Sequence, residues 1–247
     1  MQDVRSDKRV AIVTGGGSGI GAALARILGE TQYHVAVADV DAAAAENIAQ
    51  QCGGKPYRVD VAEEPSVVAL FAQVAEDFGR LDALATPAGI SDTTPFMELG
   101  VDRWMQIYRI NVVGTFLCSR EAVKRMGPGG RICTVSSVAG RRGGGLAGTA
   151  AYSASKAAVI GLTRNAARVF GPKGIAVNGV VPAGTKTPMG RQVMPTPEME
   201  AQVIASHPIG RIAEPEEVAR AIAWLLSPDA SFVLGEMLNV DGGVMMD

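Results

Sequence analysis

Short runs rich in β-branched residues alternate with longer runs of helical spacing along almost the whole chain, and that alternation leaves few folds open. RVAIVT (Arg9 to Thr14), HVAVAD (His34 to Asp39), KPYRVD (Lys55 to Asp60), LDALAT (Leu81 to Thr86), GRICTVSS (Gly130 to Ser137), GIAVNGVV (Gly174 to Val181) and EMLNVD (Glu236 to Asp241) read as seven strands. AALARILGE, AAAAENIAQQ, EPSVVALFAQVAEDFG, Val101 to Met126, Ala150 to Phe170 and PEEVARAIAWLLS read as the helices between them. Strands that alternate with helices imply right-handed crossovers and a parallel sheet covered on both faces. The 247 residues suit one such domain. No linker or repeat interrupts it, and the Gly-rich Gly143 to Gly148 and the Pro-interrupted Ala183 to Pro197 read as loops inside the domain.

Composition agrees with a doubly covered sheet. The charged fraction is 19%, the hydrophobic fraction 47% and there are 30 glycines, so the chain is poorer in charge than the usual quarter or so and needs somewhere to bury apolar surface. Strands covered on both faces provide that place. The net charge of −2, without a run of like charges, argues against nucleic acid or an anionic membrane as partner. The longest uncharged stretch, Val10 to Ala25, has sixteen residues and five glycines, too short and too Gly-rich for a membrane span. The leading MQDVRSDKR is polar and carries acids, unlike a secretory signal or a transit peptide, and the cytoplasm is the expected location. Cys52, Cys118 and Cys133 lack metal-ligand spacing and read as free thiols. His34 and His207 are solitary, and no metal site is expected.

The turn after the first strand is Thr14-Gly15-Gly16-Gly17-Ser18-Gly19-Ile20-Gly21, and it opens a helix. In that context a glycine pattern points to a dinucleotide: backbone can approach a pyrophosphate, and the helix N-terminus offers free N–H groups. Gly15, Gly17, Ser18, Gly19, Ile20 and Gly21 are the candidate contacts. Asp39 ends the second strand eighteen residues after Gly21, near the spacing at which an acid accepts hydrogen bonds from an adenosine ribose. A carboxylate there repels a 2′-phosphate, so NAD is favoured over NADP; the alternative role for Asp39 is to cap the next helix. Asp60, before Val61, is placed to approach the adenine edge or to serve as a turn acid.

Tyr152 and Lys156 lie four apart at the start of a helix and so share a face. A neighbouring ammonium favours the phenolate form of a tyrosine and brings it toward the working range of an acid/base. Ser136 and Ser137 precede this helix at the carboxyl end of the fifth strand, where open α/β sheets bind ligands. With these residues in place the chain resembles the short-chain dehydrogenase/reductase family over nearly all its length. TGGGSGIG, Asp39, Asp60-Val61, Asn111, SSVAG, YSASK, VVPAGTKTPM, HPIGR and VDGG occur in the family's order.

The resemblance implies a single-domain Rossmann-type α/β fold over residues 1–247, with a cofactor half of about 9–130 and a catalytic and substrate half of about 131–247. It implies Tyr152 as acid/base, Lys156 as the group that lowers its pKa and holds the nicotinamide ribose, Ser137 on the substrate oxygen and Asn111 near a proton-relay water. Ser137 is preferred to Ser136 as the serine of the Ser-Val-x-Gly unit. Val61, Ala88, Gly89, Pro182 and Thr187 complete the cofactor contacts, and the reaction is hydride transfer between nicotinamide and a secondary alcohol or ketone. A homotetramer or homodimer is also implied. The competing readings, a methyltransferase, a dehalogenase built on this fold and a non-catalytic NAD sensor, each leave part of the Ser137, Tyr152, Lys156 and glycine-turn set unexplained.

Three segments depart from the family pattern. Thr86-Pro87-Ala88-Gly89 stands where the family has Asn-Asn-Ala-Gly, the interval from Ser137 to Tyr152 is longer than usual, and the Pro-Gly turn reads Pro182-Ala183-Gly184. The substrate is expected between Ile90 to Phe96, Arg141 to Thr149 and Gly184 to His207, because loops at strand ends vary with ligand. Leu146, Gly184 and Met189, with Ser137 and Tyr152, are the candidate substrate contacts. Met189, Met194 and Met199 suit either an apolar lid or plain packing. Arg141 and Arg142 suit either an anionic substrate or a solvated pair.

Overall fold

The computed structural model describes residues 8–144 and 149–246. Seven strands form one sheet: β1 (Arg9–Thr14), β2 (Tyr33–Asp39), β3 (Lys55–Arg58), β4 (Ala83–Thr86), β5 (Arg131–Val135), β6 (Ala176–Pro182) and β7 (Met237–Val240). Their order is β3-β2-β1-β4-β5-β6-β7, and every pairing is parallel. The order reverses between β1 and β4, so the crossovers leave in opposite directions there and a crevice opens at the strands' carboxyl ends.

The helices are α1 (Gly19–Gly29), α2 (Ala42–Cys52), α3 (Glu64–Phe78), α4 (Val101–Tyr108), α5 (Gly114–Val123), α6 (Val138–Arg142), α7 (Ala150–Phe170), α8 (Pro188–Val193), α9 (Pro197–Ala205) and α10 (Pro215–Leu226). They cover both faces, as the sequence pattern requires. Ala11 and Val13 of β1 pack into one core with α1, α2 and α10, while Val10 and Ile12 pack into the other with α3, α5 and α7. This is the two-residue alternation of a strand, apolar on both sides because both sides are covered. Cys118 and Cys133 are buried and unpaired, and burial pushes the Cys118 thiol up to about 12.

Two expectations need correction. The single helix read over Val101 to Met126 is broken by one π-helical segment, Arg109–Val113, and its regular part ends at Val123. The Gly114 N–H reaches back to the Arg109 carbonyl, and the wider turn shifts the register where Asn111 sits; such bulges recur at functional sites. Nothing in hydrophobic spacing reveals a one-residue bulge. The segment Ala183 to Pro197, read as a loop, contains α8. Pro188, one of the prolines that interrupt the segment, occupies the first turn of the helix, where its missing N–H costs nothing.

Phe71 of α3 has no exposed surface and belongs to the second core. Phe71→Ala is expected to lower unfolding stability by about 3–5 kcal/mol, read as a drop in the urea midpoint. A loss under about 1 kcal/mol would contradict this packing.

Candidate active site

At the carboxyl end of β1 the chain turns through glycine because other backbone lies against it. A Cβ on Gly15 would stand 2.7 Å from the Ala88 Cα, and one on Gly21 would stand 2.1 Å from the Gly15 carbonyl oxygen. α1 therefore starts flush against the ends of β1 and β4. Ser18 is its N-cap but makes no side-chain capping bond, and the first turn holds no acid. The opening N–H groups of an eleven-residue helix are thus left without a side-chain partner at the wall of a cavity of about 470 Å³, which is the donor set that suits a pyrophosphate. Asp39 closes the far side of the turn. Its Oδ2 accepts from the Gly17 N–H at 2.9 Å and its Oδ1 from the Asp41 N–H at 3.0 Å, so each oxygen keeps a lone pair for a ligand. Asp41, not Asp39, caps α2.

The cavity runs on to the ends of β5 and β6. Gly15, Ser18, Gly19, Ile20, Gly21, Asp39, Asp60, Val61, Ala88, Gly89, Ser137, Tyr152, Lys156, Pro182, Gly184, Thr187 and Met189 all line it. Gly17 stands behind the wall and acts through Asp39. Asn111 also stands behind it, and Leu146 lies outside the described residues. The unpartnered N–H donors and the acid, together in one cavity, suit a nicotinamide dinucleotide.

Ser137, Tyr152 and Lys156 meet because α6 lies directly on α7. A Cβ on Gly140 would stand 2.6 Å from the backbone carbonyl carbon of Lys156, so only glycine permits this contact. Ser137 is the N-cap of α6, its oxygen accepting from the Ala139 N–H at 3.2 Å, and it lines the same cavity wall as Tyr152. Ser136 is turned away and donates to the Lys156 carbonyl at 2.7 Å, which leaves Ser137 as the serine facing the phenol. Burial raises the Tyr152 pKa, and the neighbouring Ser137 side chain opposes that rise. Lys156 donates to the Val135 carbonyl at 2.9 Å, with Nζ 5.8 Å from the Tyr152 ring centroid. Burial lowers its own pKa to about 8.

Asn111 does structural work that its sequence position alone does not disclose. Its amide pairs with the Ile90 backbone in both directions, at 2.9 and 3.0 Å, and donates to Ser155 Oγ at 3.0 Å. This holds the segment Pro87 to Ile90 from the helix side, where the family's usual asparagine is replaced by Thr86. The Thr86 hydroxyl is buried without a hydrogen-bond partner, so the tie lost at this position is not remade by the threonine. Asp92 was missed by sequence reasoning. It accepts from Arg103 and Thr94, and its carbonyl accepts from Thr149, the N-cap residue of the Tyr152 helix. The available signal was an acid inside an apolar strand-end loop.

The expected substrate walls are only partly met. From the first, Ile90 and Ser91 reach the cavity, whereas Phe96 is 76% exposed. Met189 and Met194 line it and Met199 does not. His207 is buried and satisfied, its Nε2 accepting from the Gly184 N–H at 3.2 Å and its Nδ1 lying 2.7 Å from the Val203 carbonyl, so it supports the turn after β6. Val244 joins the wall from the far end of the chain, a contact made by tertiary folding alone. Among the described residues no group of three or more His, Cys, Asp or Glu is placed to hold a metal ion, and no helix is long and apolar enough to cross a membrane.

The sequence model of a family described as Enoyl-(Acyl carrier protein) reductase matches residues 15–245. The chain is 43% identical over 245 residues to cis-4-hydroxycyclohexanecarboxylate dehydrogenase of Sinomonas cyclohexanicum, covering 96% of each. It is 43% identical over 242 residues to 2,5-dichloro-2,5-cyclohexadiene-1,4-diol dehydrogenase of Sphingobium indicum, covering 95% of this chain and 96% of the relative. The solved structure of Short-chain dehydrogenase/reductase SDR:Glucose/ribitol dehydrogenase from Brucella melitensis superposes with a TM-score of 0.91 at 31% identity, covering 97% of both chains.

The lowered pKa of Lys156 carries a stability consequence with a definite sign. The shift from 10.5 to about 8 means that holding the buried ammonium costs the folded state about 3 kcal/mol. That cost is fully present below pH 8 and falls away as pH rises toward the unfolded value, because over that interval the unfolded chain binds the extra proton. Lys156→Met should therefore melt higher than wild type at pH 7, with the gap narrowing between pH 8 and 10. Parallel melting curves across that range would contradict the burial of the charge.

Proposed function

The chain belongs to the short-chain dehydrogenase/reductase family, and on that premise we propose that it is an NAD(H)-dependent oxidoreductase acting on a ring secondary alcohol or its ketone. The observation that carries the reading is the meeting of Ser137, Tyr152 and Lys156 in the same cavity that begins at the uncapped N-terminus of α1. The bound nicotinamide supplies the hydride acceptor or donor at its C4 position.

The protein's own share is proton handling and placement. In the oxidative direction Tyr152 Oη takes the hydroxyl proton of the substrate; in the reductive direction it gives that proton to the carbonyl oxygen. Ser137 directs a hydrogen bond at the same oxygen, where negative charge develops in the transition state, and so lowers the barrier electrostatically. Lys156 donates to the Val135 carbonyl with its Nζ 5.8 Å from the Tyr152 ring centroid; the expected pull on the Tyr152 pKa does not come from it in this geometry, and its share is to present its remaining donors to the nicotinamide ribose. Asn111 is a positioning residue: it fixes Ile90 and, through Ser155, the start of the catalytic helix. A six-membered ring alcohol is the favoured substrate class because the two relatives described above, each 43% identical, are named for dehydrogenating one.

Asp39 favours NAD. Its free lone pairs suit ribose hydroxyls and its charge repels a 2′-phosphate. Arg58, its register partner on β3, is not part of the cavity wall.

The test is turnover of cyclohexanol, 4-hydroxycyclohexanecarboxylate and a panel of linear alcohols with NAD and with NADP in parallel. Tyr152→Phe should lose at least about 100-fold in kcat, in keeping with loss of a general acid/base, while NADH binding by fluorescence stays within a few-fold. Near wild-type turnover in that variant would sink the assignment. Asp39→Ala should cut the NAD-over-NADP ratio of kcat/KM by about 10-fold or more. A wild-type preference for NADP would overturn the role given to Asp39.

A further inference from the structure

Arg142 is the charged group of the cavity wall that the chemistry above leaves unused. Asp39 and Asp60 accept from the Gly17 and Ala62 N–H groups respectively and have their place at the adenosine end in the proposed reading, as Lys156, which donates to Val135, has its own at the nicotinamide ribose. The sequence pair Arg141-Arg142 splits in space: Arg141 donates to the Met237 carbonyl of β7 at 2.8 Å, whereas Arg142 lines the cavity. Among the described residues the Arg142 guanidinium has neither a hydrogen-bond acceptor nor an ion partner.

We propose that Arg142 receives a carboxylate on the substrate, so that the chain selects ring secondary alcohols that carry an acid group away from the reacting carbon; the proposal rests on the oxidoreductase reading of the same site. Arg142 ends the five-residue helix that Ser137 caps, so the two backbones are separated by about 7.5 Å of helical rise. Arg142 and Ser137 thus stand on the wall of one cavity, at opposite ends of one short helix. The same cavity wall carries Ile90, Met189, Val193, Met194 and Val203, an apolar lining that suits a hydrocarbon ring. A guanidinium presents paired coplanar N–H donors that match the two oxygens of a carboxylate. A phosphate, with an additional oxygen and a larger charge, calls for more donors than this end of the wall supplies among the described residues. Neither a neutral ring alcohol nor a linear one gives the exposed guanidinium a partner.

The experiment compares kcat/KM for 4-hydroxycyclohexanecarboxylate, cyclohexanol and 4-hydroxycyclohexyl phosphate in wild type, Arg142→Ala and Arg142→Lys, with melting curves as the check on folding. The wild type should prefer the carboxylate over cyclohexanol. Arg142→Ala should cut that preference about 10- to 100-fold, the range expected for a charged hydrogen bond, mainly through KM, and Arg142→Lys should restore part of it. An unchanged preference in Arg142→Ala overturns the proposal, as does a phosphate ester that gains as much from Arg142 as the acid does. Calorimetric titration of cyclohexanecarboxylate, which has no alcohol to oxidise, reads the same site without turnover. Its binding, weakened by Arg142→Ala, alongside no turnover of any alcohol supports the anion site and defeats the oxidoreductase reading. Turnover of cyclohexanol with no advantage to the acid defeats the anion site and leaves the oxidoreductase reading intact.

Discussion

The site exists because backbone touches backbone where side chains would not fit. Gly21 lies against the Gly15 carbonyl, and Gly140 lies against the Lys156 backbone. The first contact starts α1 at the lip of the sheet, so its free N–H groups face the crevice between β1 and β4. The second lays α6 on α7, which brings Ser137 and Tyr152 to one cavity wall. A methyl group at either position would displace a helix rather than a side chain. Both contacts sit at the carboxyl ends of parallel strands, where the topology has already opened a groove.

Burial then sets the electrostatics. The same packing that brings Tyr152 and Lys156 into the cavity removes water from both, raising the phenol and lowering the ammonium. In this geometry the downward pull on Tyr152 comes from Ser137, and burial outweighs it. In the proposed reading, a dinucleotide that brings polar groups and charge into the cavity would change that balance and couple its binding to the proton affinity of Tyr152. The low overall charge of the chain is consistent with this economy. Besides Arg142, the charged side chains lining the cavity are Asp39, Asp60 and Lys156 among the described residues.

Much of this was legible in the sequence. Strands with side chains buried on both faces read as apolar runs, and β1 and α7 have the bounds that spacing alone assigns to them. The glycine turn, Asp39, Ser137, Tyr152 and Lys156 were also readable, because their chemistry depends on local order along the chain and on strand ends. What escaped depends on tertiary contact. The π-helical turn at Asn111 leaves the hydrophobic period almost untouched, α8 begins with a proline that pattern reading takes as a stop, and Val244 reaches the cavity only because β7 returns the chain to it. The divergence of Arg141 and Arg142 follows from the pitch of one short helix, which two adjacent letters do not specify.

The central claim is that one cavity joins a dinucleotide to an alcohol carbon at Tyr152. It is tested most directly by following the hydrogen itself, using 4-hydroxycyclohexanecarboxylate deuterated at the carbinol carbon together with NAD. Transfer of the deuterium to C4 of the reduced cofactor, in step with formation of the ketone, is the result expected. Ketone formed with an unlabelled reduced cofactor, or no reduced cofactor with any ring alcohol in the panel, would contradict it.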